Sequence, residues 1–203
     1  MYVPPHFKED DPQAALEVIR AEPFGILVSV VDGEPLVTHV PFSIASISPQ
    51  LVLSAHVARA NPHSRALEGA RVTAIFRGPH GYISPRWYTE KYGDVPTWNY
   101  VAVHARGTAT LAAADAAEAI LERLVGEMES GAPHPWSIAG MNRDALAAMK
   151  KNIVPFTIAV DELTAKFKLG QNRSEADQEG AIAGLRATGR PGDAALARAM
   201  ERL

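Results

Sequence analysis

The chain of 203 residues contains no cysteine. That absence excludes a disulfide scaffold, a zinc ribbon, a cysteine-ligated iron–sulfur cluster and a thiol nucleophile together. Excess charge is lacking too. Lys plus Arg number 20 and Asp plus Glu 23, for a formal net charge of −3, so no electrostatic footprint for nucleic acid appears at the level of composition. Apolar runs are too short to span a bilayer as helices. The opening Met1-Tyr2-Val3-Pro4-Pro5-His6-Phe7 has neither a basic start nor an apolar core, which predicts no signal peptide and a soluble, cytoplasmic chain without a membrane partner.

Catalytic signatures are equally scarce. The seven histidines show no ligand spacing such as His-Glu-x-x-His, so no metal site is assigned. No Gly-x-Ser-x-Gly elbow, phosphate-loop motif or dinucleotide Gly-x-Gly-x-x-Gly occurs, and no catalytic residue is assigned.

What is present is a β-rich pattern with helices at its margins. Asp10, Asp11 and Pro12 predict a capped helix start, with Leu16, Val18 and Ile19 as its buried side and Pro23 as its stop. Phe24 to Val31 is an apolar β-branched run ending in Asp32-Gly33, a two-residue hairpin signal. Further strands are expected over Leu36 to Ile44, Leu51 to Val57, Arg71 to Arg77 and Trp98 to Leu111. Such strands argue for a closed or nearly closed antiparallel barrel. Asp115 with Glu118 forms a capping-box pattern for a helix along Ile120, Leu121, Leu124, Val125 and Met128, stopped at Gly131. Asn142 to Lys151 predicts a short helix, and Ile153 to Val160 a strand with a possible extension to Lys168. Ser174 to Ala187 and Gly192 to Leu203 read as two closing helices. The expected organisation is one domain over residues 1–203, mainly β with an N-terminal helix and C-terminal helical decoration.

Three segments carry candidate chemistry. In Leu51 to Gly69 a strand runs into Asn61-Pro62, a good cap and first-turn pair, with Arg59, His63, Ser64 and Arg65 around it. Outward N–H groups at that helix start would make an anion cradle; an ordinary capped helix with solvated arginines is the other reading. From Phe76 to Tyr100, Tyr82, Trp87, Tyr88, Tyr92, Trp98 and Tyr100 crowd a loop-rich stretch. That is four of the chain's five tyrosines and two of its three tryptophans, which suits either a flat ligand or a loop held by its own rings. Lys166 to Asp177 reads as a polar strand exit into a Ser174-capped helix, or as a second ligand-facing or subunit-bridging loop.

Together, MYVPPHF, HVARANP, FRGPHGYISPRWY with VPTWNYVAVHARG, and KLGQNRSEAD resemble the PaiB-type FMN-binding regulator family, from Met1 to about Leu185. The resemblance implies a split β-barrel of the pyridoxamine-phosphate-oxidase type, a homodimer with FMN in the cleft between subunits. It implies that Asn61, Ser64 and Arg65 hold the phosphate in an Asn-x-x-Ser-Arg turn. His39 and His56 would lie near the cofactor, with Trp98, Asn99 and Tyr100 approaching the isoalloxazine. The chain departs from the family pattern at Ser64, where an aromatic is common, and at Gly170, where a serine commonly precedes Gln-Asn.

The family's regulatory role suggests DNA as a partner by name only. Residues 174–203 carry four arginines against five acids and show no basic recognition face. A flavin-dependent oxidoreductase using reduced nicotinamide is the alternative, since a flavin carries its own chemistry. A dimeric structural protein with an empty cleft is the third reading.

Overall fold

A computed structural model describes residues 1–90, 93–113 and 115–202 of the chain. Its strands are β1 (Lys8–Glu9), β2 (Phe24–Val31), β3 (Glu34–Pro41), β4 (Ser43–Ser46), β5 (Val52–Ala58), β6 (Arg71–Ile83), β7 (Thr97–Leu111) and β8 (Ile153–Lys168). The helices are α1 (Pro12–Ala21), α2 (Ala116–Met128), α3 (Arg143–Lys151), α4 (Glu175–Ala187) and α5 (Pro191–Met200). The strands form one sheet in the order β3-β2-β6-β7-β8-β5-β4, with β1 added along β8. Two compact units result: Met1–Ala21, Arg77–Val103 and Thr164–Leu203 make the first, and Glu22–Phe76 with His104–Leu163 the second.

In the second unit, the hairpin between β2 and β3 turns at Asp32 and Gly33, both at positive φ (53° and 85°). Pairing runs without a break from Val31 opposite Glu34 to Phe24 opposite Pro41, as a two-residue primed turn requires. The expected single strand over Leu36 to Ile44 divides at Phe42. That ring is buried edge-on against Phe76 and Phe156, at centroid distances of 5.4 and 6.4 Å. Leu27, Leu53 and Ile158 complete this core. Gly107 lies flat on β8; a Cβ there would stand 2.1 Å from the Ala159 carbonyl oxygen, so only glycine fits.

The capping box expected for α2 does not form. Asp115 has helical backbone angles and makes no cap bond. Glu118 instead binds Lys150 at 2.7 Å and Arg143 at 3.0 Å, both on α3. Asn142 caps α3 by accepting from the Asp144 and Ala145 N–H groups, and β8 takes the full extension to Lys168.

The first unit buries Ile83, Val101, Leu169, Leu185, Leu196 and Met200 between its strand segments and helices α4 and α5. Ser174 caps α4 by accepting from Asp177 N–H; Leu203, expected in the last helix, lies outside the described residues. The strand expected over Arg71 to Arg77 runs on through Ile83, into the stretch read as loop-rich. Gly78, Pro79 and Gly81 hide the strand period in the sequence, yet a Cβ at Gly78 or Gly81 would come within 3.0 Å of Val101 or Leu196. Those glycines are close-packing positions within the strand.

Candidate functional site

The turn after β5 is smaller and more self-satisfied than its residues suggest. Pro62–Arg65 is a four-residue 3-10 turn. Pro62 has no N–H, the His63 N–H is accepted by Asn61 Oδ1 at 2.9 Å, and the Ser64 N–H by the Asn61 carbonyl at 2.9 Å. The outward N–H groups expected at a helix start are therefore taken up inside the turn. A 3-10 turn closes its bonds over three residues, and the Asn61 amide takes the donor that remains.

His63 is fully buried. Its Nδ1 lies 2.7 Å from Thr38 Oγ1 on β3, and its Nε2 lies 3.0 Å from Ser29 Oγ on β2. Asn61 Nδ2 donates to Thr38 Oγ1 at 3.2 Å. One proton assignment satisfies the chain: Asn61 donates to Thr38, Thr38 donates to His63 Nδ1, and His63 Nε2–H donates to Ser29. The imidazole is then neutral, in keeping with burial pulling its pKa below the ordinary value.

Arg59 also faces structure. Its Nε donates to the Lys151 carbonyl at 2.6 Å and its Nη2 to the Ile153 carbonyl at 2.9 Å, bracketing the start of β8. Ser64 Oγ donates to the Arg59 carbonyl at 2.9 Å. Arg65 is exposed, and its guanidinium has no hydrogen-bond or ion-pair partner among the described residues. One solvent-directed cation is what the turn offers an anion.

His39 is exposed on β3, stacked on Phe24 at 6.1 Å. His56 is half-buried on β5, with its Nδ1 enclosed and without a hydrogen-bond partner among the described residues, and burial lowers its pKa. Ser43 and Ser54 sit opposite each other in register, and their hydroxyls are also buried without partners. Strand alternation puts Ser54 and His56 on one face of β5.

The aromatic stretch belongs to the first unit, and its rings divide by role. Trp87 packs into a slot on α4, where a Cβ at Gly184 would lie 2.2 Å from the indole. Tyr88 is buried in the core, with the Arg173 guanidinium 4.9 Å from its ring centroid. Arg173 pairs in bidentate fashion with Asp94, whose carboxyl it holds below the usual range. Gln171 closes its own loop, accepting from Leu169 N–H and donating to the Phe167 carbonyl. These groups are structural. Tyr92 lies outside the described residues.

Of the other rings, Trp98 and Tyr82 are exposed and Tyr100 is half-buried. Trp98 is 54% exposed and stacks on His80 at 6.3 Å and 20°. Tyr100 lies two residues along on the same face of β7, and Tyr82 two residues beyond His80 on β6. Asn99 points the other way, buried at 3% exposure with its amide 3.6 Å from Met200 Sδ. The structure thus brings Trp98 and Tyr100 together and sends Asn99 to the helical side.

Two residues join this face that sequence reasoning left unassigned. Lys166 Nζ lies 5.1 Å from the Tyr100 ring centroid and 5.6 Å from that of Tyr2. Lys168 Nζ donates to Thr97 Oγ1 and to the Trp98 carbonyl. The available signal was two lysines at i and i+2 in a strand, which the pleat must place on one face.

The profile of the family described as "Putative FMN-binding domain" matches residues 1–162. The chain is 32% identical to the protease synthase and sporulation protein PAI 2 of Bacillus subtilis over 202 residues, 99% of this chain and 97% of that protein. Among solved structures it resembles the FAD and heme binding protein of Mycobacterium smegmatis, with a TM-score of 0.63 at 20% identity over 87% of this chain and 80% of that one. It also resembles the flavocytochrome Anf3 of Azotobacter vinelandii, with a TM-score of 0.62 at 17% identity over 85% and 75%. Those likenesses establish the fold, a mainly antiparallel split barrel with added helices. No helix among the described residues is long and apolar enough to cross a membrane.

Proposed function

The chain belongs to the FMN-binding family whose profile spans residues 1–162, and on that premise we propose that it binds FMN in a cleft between two copies of itself. The observation that carries the reading is the uncovered ring surface of Trp98, already stacked at 20° on His80. A flat aromatic platform that is half exposed suits an isoalloxazine, which gains from stacking and from burial of its apolar surface. We assign Trp98 and Tyr100 to that ring system, contributed by the second copy. The phosphate falls to Arg65, the exposed guanidinium of the Asn61 turn, unpaired among the described residues, through a charge-assisted bond. Asn61 and the buried His63 fix the turn that presents it, and Ser64 ties the turn to Arg59. His39 and His56 are the second unit's remaining candidates for flavin contacts, His56 through an Nδ1 without a partner among the described residues. Asn99 supports the strand from its helical side.

FMN, when bound, supplies redox chemistry of its own, and these residues would hold and orient it. The test is a visible spectrum of purified protein after FMN is added and excess removed. Retained flavin bands, with Arg65→Ala weakening retention by about 1.5–3 kcal/mol, are the expected result. A colourless protein sinks the reading, and full retention by the variant moves the phosphate elsewhere.

A further inference from the structure

Lys166 is only 7% exposed, and among the described residues no carboxylate pairs with it. Its ammonium has three N–H donors, one of which goes to the Tyr2 carbonyl at 3.2 Å while two aromatic rings flank it. A buried cation is ordinarily paired, because its desolvation is otherwise uncompensated. Lys168 stands two residues on along the same face, with its Nζ 6.0 Å from the Phe7 ring centroid and two of its donors on neutral oxygens. Its pKa is lowered by burial, then by Lys166 and Arg173. Lys8 lies directly opposite Lys166 in the β1–β8 register, and its own ammonium is met by Asp10 at 2.5 Å. The Arg173 charge is answered by Asp94. Lysines thus gather on this face, and Asp10 and Asp94 answer Lys8 and Arg173. Beside them run the rings of Tyr100, Trp98 and His80.

We propose that Lys166 and Lys168 bind the anionic group, carboxylate or phosphate, of a ligand whose flat ring lies along the Trp98–Tyr100 face. Only the assignment of that ring to a flavin rests on the function proposed above. The anion is either the phosphate of the flavin or the acid group of a separate small aromatic ligand.

The test uses the full-length protein and two pairs of probes that differ in charge but share a ring: FMN against riboflavin, and nicotinate against nicotinamide. Affinities are measured by Trp fluorescence and calorimetry for the parent, Lys166→Met, Lys168→Met and, as a control in the other unit, Lys151→Met. In at least one pair the charged member is expected to bind tenfold or more tightly in the parent and the control, and less than threefold in both lysine variants. If the FMN preference collapses, the anion is the flavin phosphate; Arg65→Ala should then leave that preference intact, which moves the phosphate from Arg65 to the lysines and overturns that one assignment made above. If the nicotinate preference collapses, the anion belongs to a second ligand. Should neither flavin bind the parent, the FMN reading fails and the nicotinate pair alone decides this one. A charge preference that is absent in both pairs, or unchanged in folded variants, overturns the proposal. Should Lys166→Met fail to fold by circular dichroism, the half-exposed Lys168→Met decides.

Discussion

The Asn61 turn and the Lys166 face are both polar, and they solve burial in opposite ways. In the turn, each polar group of His63 and Asn61 has a protein partner: Ser29, Thr38 and the turn's own backbone. On the strand face, Lys166 has a backbone carbonyl and two rings but no counter-charge among the described residues. A satisfied network specifies structure, whereas an uncompensated charge lowers stability for the sake of something else. The residue types left both open, the turn as an anion cradle or an ordinary capped helix and the Lys166 segment as a strand exit or a ligand-facing loop.

The sharpest way to break the contrast is His63→Leu. The substitution removes a buried ring and leaves Thr38 and Ser29 without their partner, so stability should fall by about 3 kcal/mol. Urea unfolding checks it; a loss below about 1 kcal/mol would mean the network is not a structural keystone.

A smaller effect comes from pH. His63, His56 and His104 all have pKa values lowered by burial. The unfolded chain therefore takes up protons near the ordinary histidine value of about 6.5, while the folded chain resists until lower pH. Their contribution is fully present above that value and is lost as pH falls below it. Each such histidine adds a slope of up to about 1.4 kcal/mol per pH unit within its window. Urea midpoints at pH 7.5 and 5.5 should differ in the parent and differ less in His63→Leu. Equal midpoints at the two pH values would contradict the neutral, buried assignment.

How much of this was legible beforehand depends on whether the deciding interaction is local. The Asp32-Gly33 hairpin, the short helix ending at Lys151, the Ser174 cap and the extent of β8 were readable because each follows from backbone preferences within a few residues. Glu118 was misread as a capping-box partner because its lysine lies 32 residues away on α3. The strand through Gly78 to Gly81 was hidden because close approach by Val101 and Leu196, not propensity, sets those glycines. The site divided in the same manner. The exposure of Trp98 and Arg65 follows from placement in a strand or turn. The capture of Arg59 by two carbonyls, and of Asn99 by the helical side, depends on segments about a hundred residues distant. Lysines facing tyrosines from opposite ends of the chain fall in that second class.

The smallest expected effect is also the most discriminating. Lys166→Met keeps the length and apolar stem of the side chain while removing the charge. If that charge serves the fold, its loss should cost stability, as it does at His63. If it waits for an anion, the ligand-free protein should hold its stability or gain up to about 1 kcal/mol. Burying a methionine among rings costs no desolvation of charge, whereas the lysine has only partial compensation from two cation–π contacts. Thermal and urea unfolding without ligand measure the sign. A loss greater than about 1 kcal/mol would make Lys166 a structural partner of Tyr2 and Tyr100, and the two regions would then be alike. A neutral or positive change would leave the turn as structure and the face as a place kept uncompensated for binding.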